Sequence, residues 1–129
     1  MKQLLTVPIV GGISKISCPG GMQIRAVAFG AAVAAITDGD APTIRFSRGT
    51  DQLIEFSGNA QALSVVLISG GIGMSSSESY TAAASTSPPA SCSMSLPDVW
   101  WQYDVNVVVG CGSGVVDTGF ILYELKPLE

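Results

Sequence analysis

The clearest hydrophobic pattern of the chain lies in residues 97–126, PDVWWQYDVNVVVGCGSGVVDTGFILYELK. In the first half, apolar and polar residues alternate with the period of a β-strand. One face carries Val99, Trp101, Tyr103, Val105, Val107 and Val109, and the other carries Gln102, Asp104 and Asn106. Gly110, Gly112 and Gly114 permit the positive φ angles of a tight turn. The pattern predicts a C-terminal hairpin of two long strands.

The second arm of this predicted hairpin is apolar on both faces. Val115, Ile121, Tyr123 and Leu125 lie on one side, and the other side carries Val116, Phe120 and Leu122. A strand of this kind needs cover on both faces, from its own fold or from another subunit.

The first half of the chain contains several shorter strand patterns. Residues 3–10 predict an edge strand, because Pro8 cannot donate to a ladder. Residues 22–36 predict two strands bent at Gly30, with a short helix after the bend as the alternative. Residues 62–69 are β-branched and apolar on both faces, which favours a central strand. Further strands are predicted at residues 13–17, 43–47 and 52–57.

Residues 70–95 differ from the rest in composition. They are rich in Ser, Thr, Ala, Gly and Pro and contain one charge, Glu78. This composition is typical of a long surface loop, in which residues 90–94 form a short strand at most. The chain as a whole therefore predicts one all-β domain over residues 1–129, an antiparallel β-sandwich or jelly roll of about eight strands. Residues 1–12 are a candidate N-terminal arm.

The low charge content favours an assembly over a monomer. Only 12% of the residues are charged, against about 25% in an average soluble protein. A surface this poor in charge favours an oligomer. The net charge is −4 and the six bases are scattered, which disfavours nucleic-acid binding because that requires clustered positive charge.

Neither a membrane span nor a signal peptide is expected. No stretch of the sequence reaches the roughly 18 apolar residues of a membrane helix. The N-terminal run MKQLLTVPIVGG lacks a small-x-small cleavage site.

The residues needed for common catalytic sites are missing. The chain contains no histidine, so triads that use histidine are excluded. Ser113 lies in GCGSG, where Cys111 occupies the first glycine position of the esterase elbow. Residues 71–73, GIG, are not followed by the remainder of a phosphate-binding motif. We therefore expect no enzyme, no catalytic residue and no cofactor.

Asp104 and Asp117 are the remaining candidates for acid–base chemistry. Pairing Val109 with Val115 across the predicted turn places the two carboxylates roughly 10 Å apart at the strand rise. That separation is long for a retaining glycosidase pair. A small hydrolase that uses these residues is the least favoured hypothesis.

Metal and disulfide sites have little support. Asp38 and Asp40 flank Gly39, which is typical of a turn, and no glutamate completes a calcium loop. Without histidine or a CxxC pair, no zinc site is expected. Cys18, Cys92 and Cys111 are interpreted as three buried thiols, with one disulfide plus a free thiol, or an intersubunit bridge, as the alternatives.

The aromatic residues near the predicted hairpin suggest contacts. Adjacent tryptophans on a strand point to opposite faces, so Trp100 and Trp101 cannot form one flat sugar platform. One is expected in the core and the other at a subunit contact. A carbohydrate- or receptor-binding module that uses one of them is the alternative function. The candidate interface residues are Trp100, Trp101, Tyr103, Phe120 and Leu122.

Residues 97–126 also resemble a known structural element. A Trp-rich strand, the turn Gly112-Ser113-Gly114 and the return strand Val116-Asp117-Thr118-Gly119-Phe120 are similar to the C-terminal hairpin of small jelly-roll virion proteins of tailed bacteriophages. That group includes capsid decoration (cement) proteins and head fibres, many of which resemble the trimeric jelly roll of tumour necrosis factor. The usual form has an arginine before the turn, which VNVVVG lacks.

The resemblance implies a function without catalysis. The chain would be a homotrimeric structural protein that stabilises a capsid, with the major capsid protein or other virion proteins as partners. It would be assembled in the host cytoplasm and located in the virion. It carries over no ligand-binding residue. A homotrimer about a threefold axis is consistent with strands that are apolar on both faces.

Overall fold

The chain folds into β-strands. The computed structural model describes residues 2–34, 42–57, 65–72, 77–79, 90–111 and 115–128. The strands in this part of the chain are β1 (Gln3–Pro8), β2 (Ile13–Ile16), β3 (Met22–Ala34), β4 (Pro42–Arg48), β5 (Asp51–Ser57), β6 (Val65–Ile72), β7 (Ser77–Ser79), β8 (Ala90–Leu96), β9 (Val105–Cys111) and β10 (Val115–Pro127).

These ten strands form two sheets. The six-stranded sheet has the order β1-β10-β3-β6-β8-β7, and the four-stranded sheet has the order β2-β9-β4-β5. All pairings among the described strands are antiparallel except that of β6 with β8, which is parallel. The predicted all-β sandwich is confirmed, with two strands more than the eight expected.

Most of the strand pairs are nested within one another along the chain. β1 pairs with β10, β2 with β9, β3 with β6 and β4 with β5. β10 also pairs with β3, and β9 also pairs with β4. Strands β7 and β8 lie outside this nested set and extend the six-stranded sheet beyond β6. The chain therefore passes from one sheet to the other at β1–β2, β2–β3, β3–β4, β5–β6, β8–β9 and β9–β10.

One hydrophobic core joins the inner faces of the sheets. Phe46 is fully buried and its ring lies 5.4 Å from that of Trp101, at an interplanar angle of 32°. Alternate residues of each strand enter this core because successive side chains of a strand point to opposite faces. The buried members include Ile16, Ile24, Phe29, Ile44, Val105, Val107, Val109 and Ile121.

The predicted C-terminal hairpin is wrong. β9 pairs with β2 and β4, whereas β10 pairs with β1 and β3 in the other sheet. The alternation of Val105, Val107 and Val109 correctly predicted the buried face, but periodicity does not specify which strand is the partner. The first strand also begins later than predicted, at Val105, and Trp101 makes only an isolated bridge with Ile24.

The predicted bend at Gly30 is also corrected. β3 is one continuous strand over the described residues, and no helix follows the glycine before Ala34. The irregularity lies at Val27, since Ala26 pairs with Tyr123 while Ala28 pairs with Leu122. After such a bulge, the alternation of side chains between the two faces of the sheet is shifted by one residue. The buried residues accordingly change from Ile24 and Ala26 to Phe29 and Ala31.

The predicted N-terminal arm and surface loop are both part of the sandwich. β1 is an edge strand, as expected, but it pairs with β10 of its own chain, and Ile9 is buried in the core. The end of β6, together with β7 and β8, occupies part of residues 70–95. Gly70 and Gly71 are buried there. Residues 73–76 and 80–89 of the predicted loop lie outside the described residues.

Gly119 should be intolerant of a side chain. A Cβ at this position would lie 3.0 Å from the backbone oxygen of Gly30 and 3.1 Å from the side chain of Ile9. Gly119→Ala should therefore lower the free energy of unfolding by about 1–3 kcal/mol through overpacking. Urea denaturation measures this change. The control is Gly110→Ala, which meets nothing within 4 Å. An equal loss in both variants would contradict the close approach of Ile9 and Gly30 to Gly119.

Candidate functional site

The outer face of the six-stranded sheet carries exposed apolar side chains on its first two strands. Leu4 is 60% exposed and Phe120 is 51% exposed. Pro8 pairs with Phe120, and Thr6 pairs with Leu122. We call Leu4, Thr6, Pro8, Phe120 and Leu122 the β1–β10 surface. It explains why β10 is apolar on both faces: one face lies in the core and the other lies at the surface.

Small residues of the neighbouring strand β3 make this surface shallow. Phe120 pairs with Gly30 of β3, and a Cβ at Gly30 would lie 3.2 Å from Cε1 of the Phe120 ring. The ring therefore rests on the glycine. Leu122 pairs with Ala28, another small residue. Small residues beside the two larger side chains leave a shallow apolar area, which is suited to contact with another protein surface.

A charged cluster borders the β1–β10 surface. Glu124 follows Leu122 on the same face and is only 8% exposed. One of its carboxylate oxygens accepts hydrogen bonds from Nε (2.9 Å) and Nη2 of Arg25, and the other lies 2.9 Å from Nζ of Lys2. Asp98 accepts a hydrogen bond of 2.5 Å from Nη1 of Arg25. Lys2 and Arg25 lower the pKa of Glu124 against the opposing effect of burial.

Trp100 contacts two cations of this face. The guanidinium of Arg25 lies 4.7 Å from the centre of the ring, and Nζ of Lys126 lies 4.2 Å from it. These are cation–π distances. At least one face of the half-buried indole is therefore already occupied, which leaves less of the ring for stacking with a sugar.

Two of the predicted interface residues lie elsewhere. Trp101 is 5% exposed and packs on Phe46 in the core, so it offers no surface to a neighbouring subunit. Tyr103 is half-buried and its ring is covered by Arg48, whose guanidinium carbon lies 4.2 Å from the ring centre. Trp100, Phe120 and Leu122 are partly or well exposed, and the last two belong to the β1–β10 surface.

A second exposed apolar group was missed in the sequence. Val10 is 73% exposed, Ile13 is 64% exposed and Val108 is 41% exposed. Ile13 pairs with Val108 across β2 and β9, and Val10 forms an isolated bridge with Ile13. We call these three residues the β2–β9 surface. No pattern in the sequence marks this surface, because Ile13 and Ile16 lie on opposite faces of β2 and only Ile16 is buried.

The candidate carboxylate pair is not assembled as predicted. Asp104 precedes β9, whereas Asp117 is in β10 of the other sheet, so their predicted separation within one hairpin does not apply. Asp104 accepts a hydrogen bond of 2.7 Å from the backbone N–H of Cys18 and lies 3.2 Å from Nζ of Lys15. These two contacts lower the pKa of Asp104. A carboxylate stabilised in this way is a weak base.

The cysteines offer no activated thiol among the described side chains. Cys18 forms no disulfide, and its Sγ lies 3.2 Å from the backbone oxygen of Met22. Burial and the charge of Asp104 raise the pKa of this thiol, which lowers its nucleophilic fraction at neutral pH. The side chains of Cys92 and Cys111 and the whole of residues 35–41, with Asp38 and Asp40, lie outside the described residues.

In the described ranges, no three His, Cys, Asp or Glu side chains are grouped to hold a metal ion. The same ranges contain no helix of sufficient length and apolar character to cross a membrane.

No family model matches the sequence, and no curated protein sequence matches it.

The Glu124 cluster should make stability depend on pH. The pKa of Glu124 is lower in the folded chain than in the unfolded chain. Its ion pairs therefore stabilise the fold at pH values above the unfolded pKa, and the contribution is lost as the pH falls through the folded pKa. Glu124→Gln should cost about 2 kcal/mol at pH 7 and should flatten the acid limb of the stability curve.

Urea denaturation between pH 7 and pH 3 measures both effects. The matched control is Asp98→Asn, because Asp98 shares Arg25 with Glu124 but its side chain is 61% exposed. This control should change stability by less than about 1 kcal/mol. An acid limb of wild-type slope in Glu124→Gln would show that Glu124 does not titrate as described.

Proposed function

We propose that the chain is a non-enzymatic structural protein of a virus particle, an oligomeric capsid decoration protein that stabilises the shell through contacts between subunits. One observation carries this proposal: the large apolar side chains Phe120 and Leu4 are 51% and 60% exposed on the outer face of the six-stranded sheet. Contiguous exposed apolar area is typical of protein–protein contacts. The charge content of 12% supports the same interpretation, because a chain with few charged residues favours an assembly.

The order of the strands supports a jelly roll as the finer description of the fold. A jelly roll has eight strands in two sheets and two Greek keys. When β7 and β8 are set aside, the remaining eight strands pair first with last, second with seventh, third with sixth and fourth with fifth. β7 and β8 are then an insertion at the edge of one sheet.

The proposed assembly is a homotrimer on the particle surface. The chain would act there as the cement between its own copies and the major capsid protein, after assembly in the host cytoplasm. The β1–β10 surface is the proposed contact between copies. Trp100 and the Arg25–Glu124 pair would form its polar rim, since apolar centres with polar rims are usual in interfaces.

The contribution of the β1–β10 surface can be tested by charge substitution. Phe120→Asp introduces a charge at a half-exposed position, so the fold should remain while the assembly dissociates to single chains of 13.2 kDa. Light scattering at micromolar concentration measures the mass, and circular dichroism checks the fold. Leu128→Asp is the control, because Leu128 is 41% exposed but lies outside this surface. A folded Phe120→Asp variant of wild-type mass would contradict the proposed contact.

The location in the particle needs a separate experiment. Particles from infected host cells are separated on a density gradient, and antibodies against the chain are applied to each fraction. The proposal predicts that the chain sediments with intact particles. A chain found only in the fractions of free protein would contradict a role in the virion.

A further inference from the structure

Both apolar surfaces border the same edge of the sandwich. β1 is the outermost strand of the six-stranded sheet, and β2 is the outermost strand of the four-stranded sheet. The two strands are adjacent at this edge, because Oγ of Ser14 in β2 donates a hydrogen bond of 2.9 Å to the backbone oxygen of Pro8 in β1. The β1–β10 surface lies on one side of this edge, and the β2–β9 surface lies on the other.

The edge itself is closed to strand addition near the apolar groups. The backbone N–H of Ile13 donates to the oxygen of Val10 at 3.1 Å, and the N–H of Val10 donates to the oxygen of Ile13 at 3.0 Å. These groups are therefore not free to pair with a strand of another chain. Any contact at this part of the edge is made by side chains on its two sides.

Two different apolar surfaces on one chain favour a particular symmetry. A twofold interface uses the same surface on both copies, whereas a head-to-tail interface uses two different surfaces and closes into a ring when the rotation permits. Surfaces on the two sides of one edge suit a ring, since each copy fills one sector with its edge towards the axis.

We propose that the chain forms a closed head-to-tail ring, in which the β1–β10 surface of one copy packs against the β2–β9 surface of the next. The edge of β1 and β2 lies beside the rotation axis. This inference rests on the self-association proposed above and specifies the two surfaces that meet.

Each of the two surfaces has an ion pair at the same end of the edge, Lys2–Glu124 beside the β1–β10 surface and Lys15–Asp104 beside the β2–β9 surface. On the β1–β10 side, Lys2 precedes Leu4 and lies away from the turn between β1 and β2. On the β2–β9 side, Asp104 precedes β9 and also lies away from that turn. An axis parallel to the edge keeps these ends aligned. Apolar side chains then meet apolar ones, and the Lys2–Glu124 ion pair of one copy lies at the same end as the Lys15–Asp104 ion pair of the next.

Mixing two variants distinguishes the ring from other assemblies. Phe120→Asp disables the β1–β10 surface, and Ile13→Asp disables the β2–β9 surface. Each variant alone should be a single chain, because every contact of the ring uses both surfaces. An equal mixture should form a complex of two chains, since Ile13→Asp supplies an intact β1–β10 surface and Phe120→Asp supplies an intact β2–β9 surface. The second contact of that pair is disabled on both sides, so growth stops there.

Sedimentation velocity measures all three samples beside the wild type. Leu4→Asp replaces Phe120→Asp if the latter does not fold, because Leu4 is 60% exposed on the same surface. An oligomer formed by either variant alone, or a mixture that remains at the mass of one chain, would overturn the head-to-tail ring. A monomeric wild-type chain would overturn the proposed self-association as well as the ring. An oligomeric wild type with the wrong behaviour of the variants would overturn the ring alone.

Discussion

The packing of two sheets against one core determines which side chains are left at the surface. Each strand has two faces, and only one can enter the space around Phe46 and Trp101. β10 is apolar on both faces, so burial of Ile121 leaves Phe120 and Leu122 outside. The sandwich therefore cannot bury all its apolar side chains within one chain. The proposed assembly would cover the apolar surface that the single chain leaves exposed.

The charged cluster keeps one part of that face polar without leaving an isolated charge. Glu124 is nearly buried beside Leu122, but Arg25 and Lys2 satisfy both of its oxygens. Removal of one partner would leave a buried charge unpaired, which is costly. The cluster also engages Trp100 through Arg25. These contacts give the outer face an apolar part and a polar part with fixed side chains.

The sequence predicted the faces of strands better than their partners. The alternation of Val105, Val107 and Val109 specified the buried side of β9 because burial follows a period of two. The same alternation carries no information on pairing, so β9 and β10 were assigned to one hairpin although they lie in different sheets. Val27 was missed for a similar reason: the bulge depends on its register with Leu122 and Tyr123 of a strand distant in sequence. Phe120 and Leu122 could be predicted as surface residues, whereas Ile13 could not, because its exposure depends on the position of β2 at the edge.

In the proposed assembly, the β1–β10 surface is covered by a neighbouring copy. Hydroxyl-radical labelling of the wild-type chain, read by mass spectrometry and normalised to the unfolded chain, measures this cover directly. Phe120 is 51% exposed in the single chain, and Leu128 is 41% exposed. If a neighbouring copy covers this surface, Phe120 is protected at micromolar concentration and becomes labelled on dilution, while Leu128 is labelled throughout. Strong labelling of Phe120 at every concentration would contradict the proposed assembly.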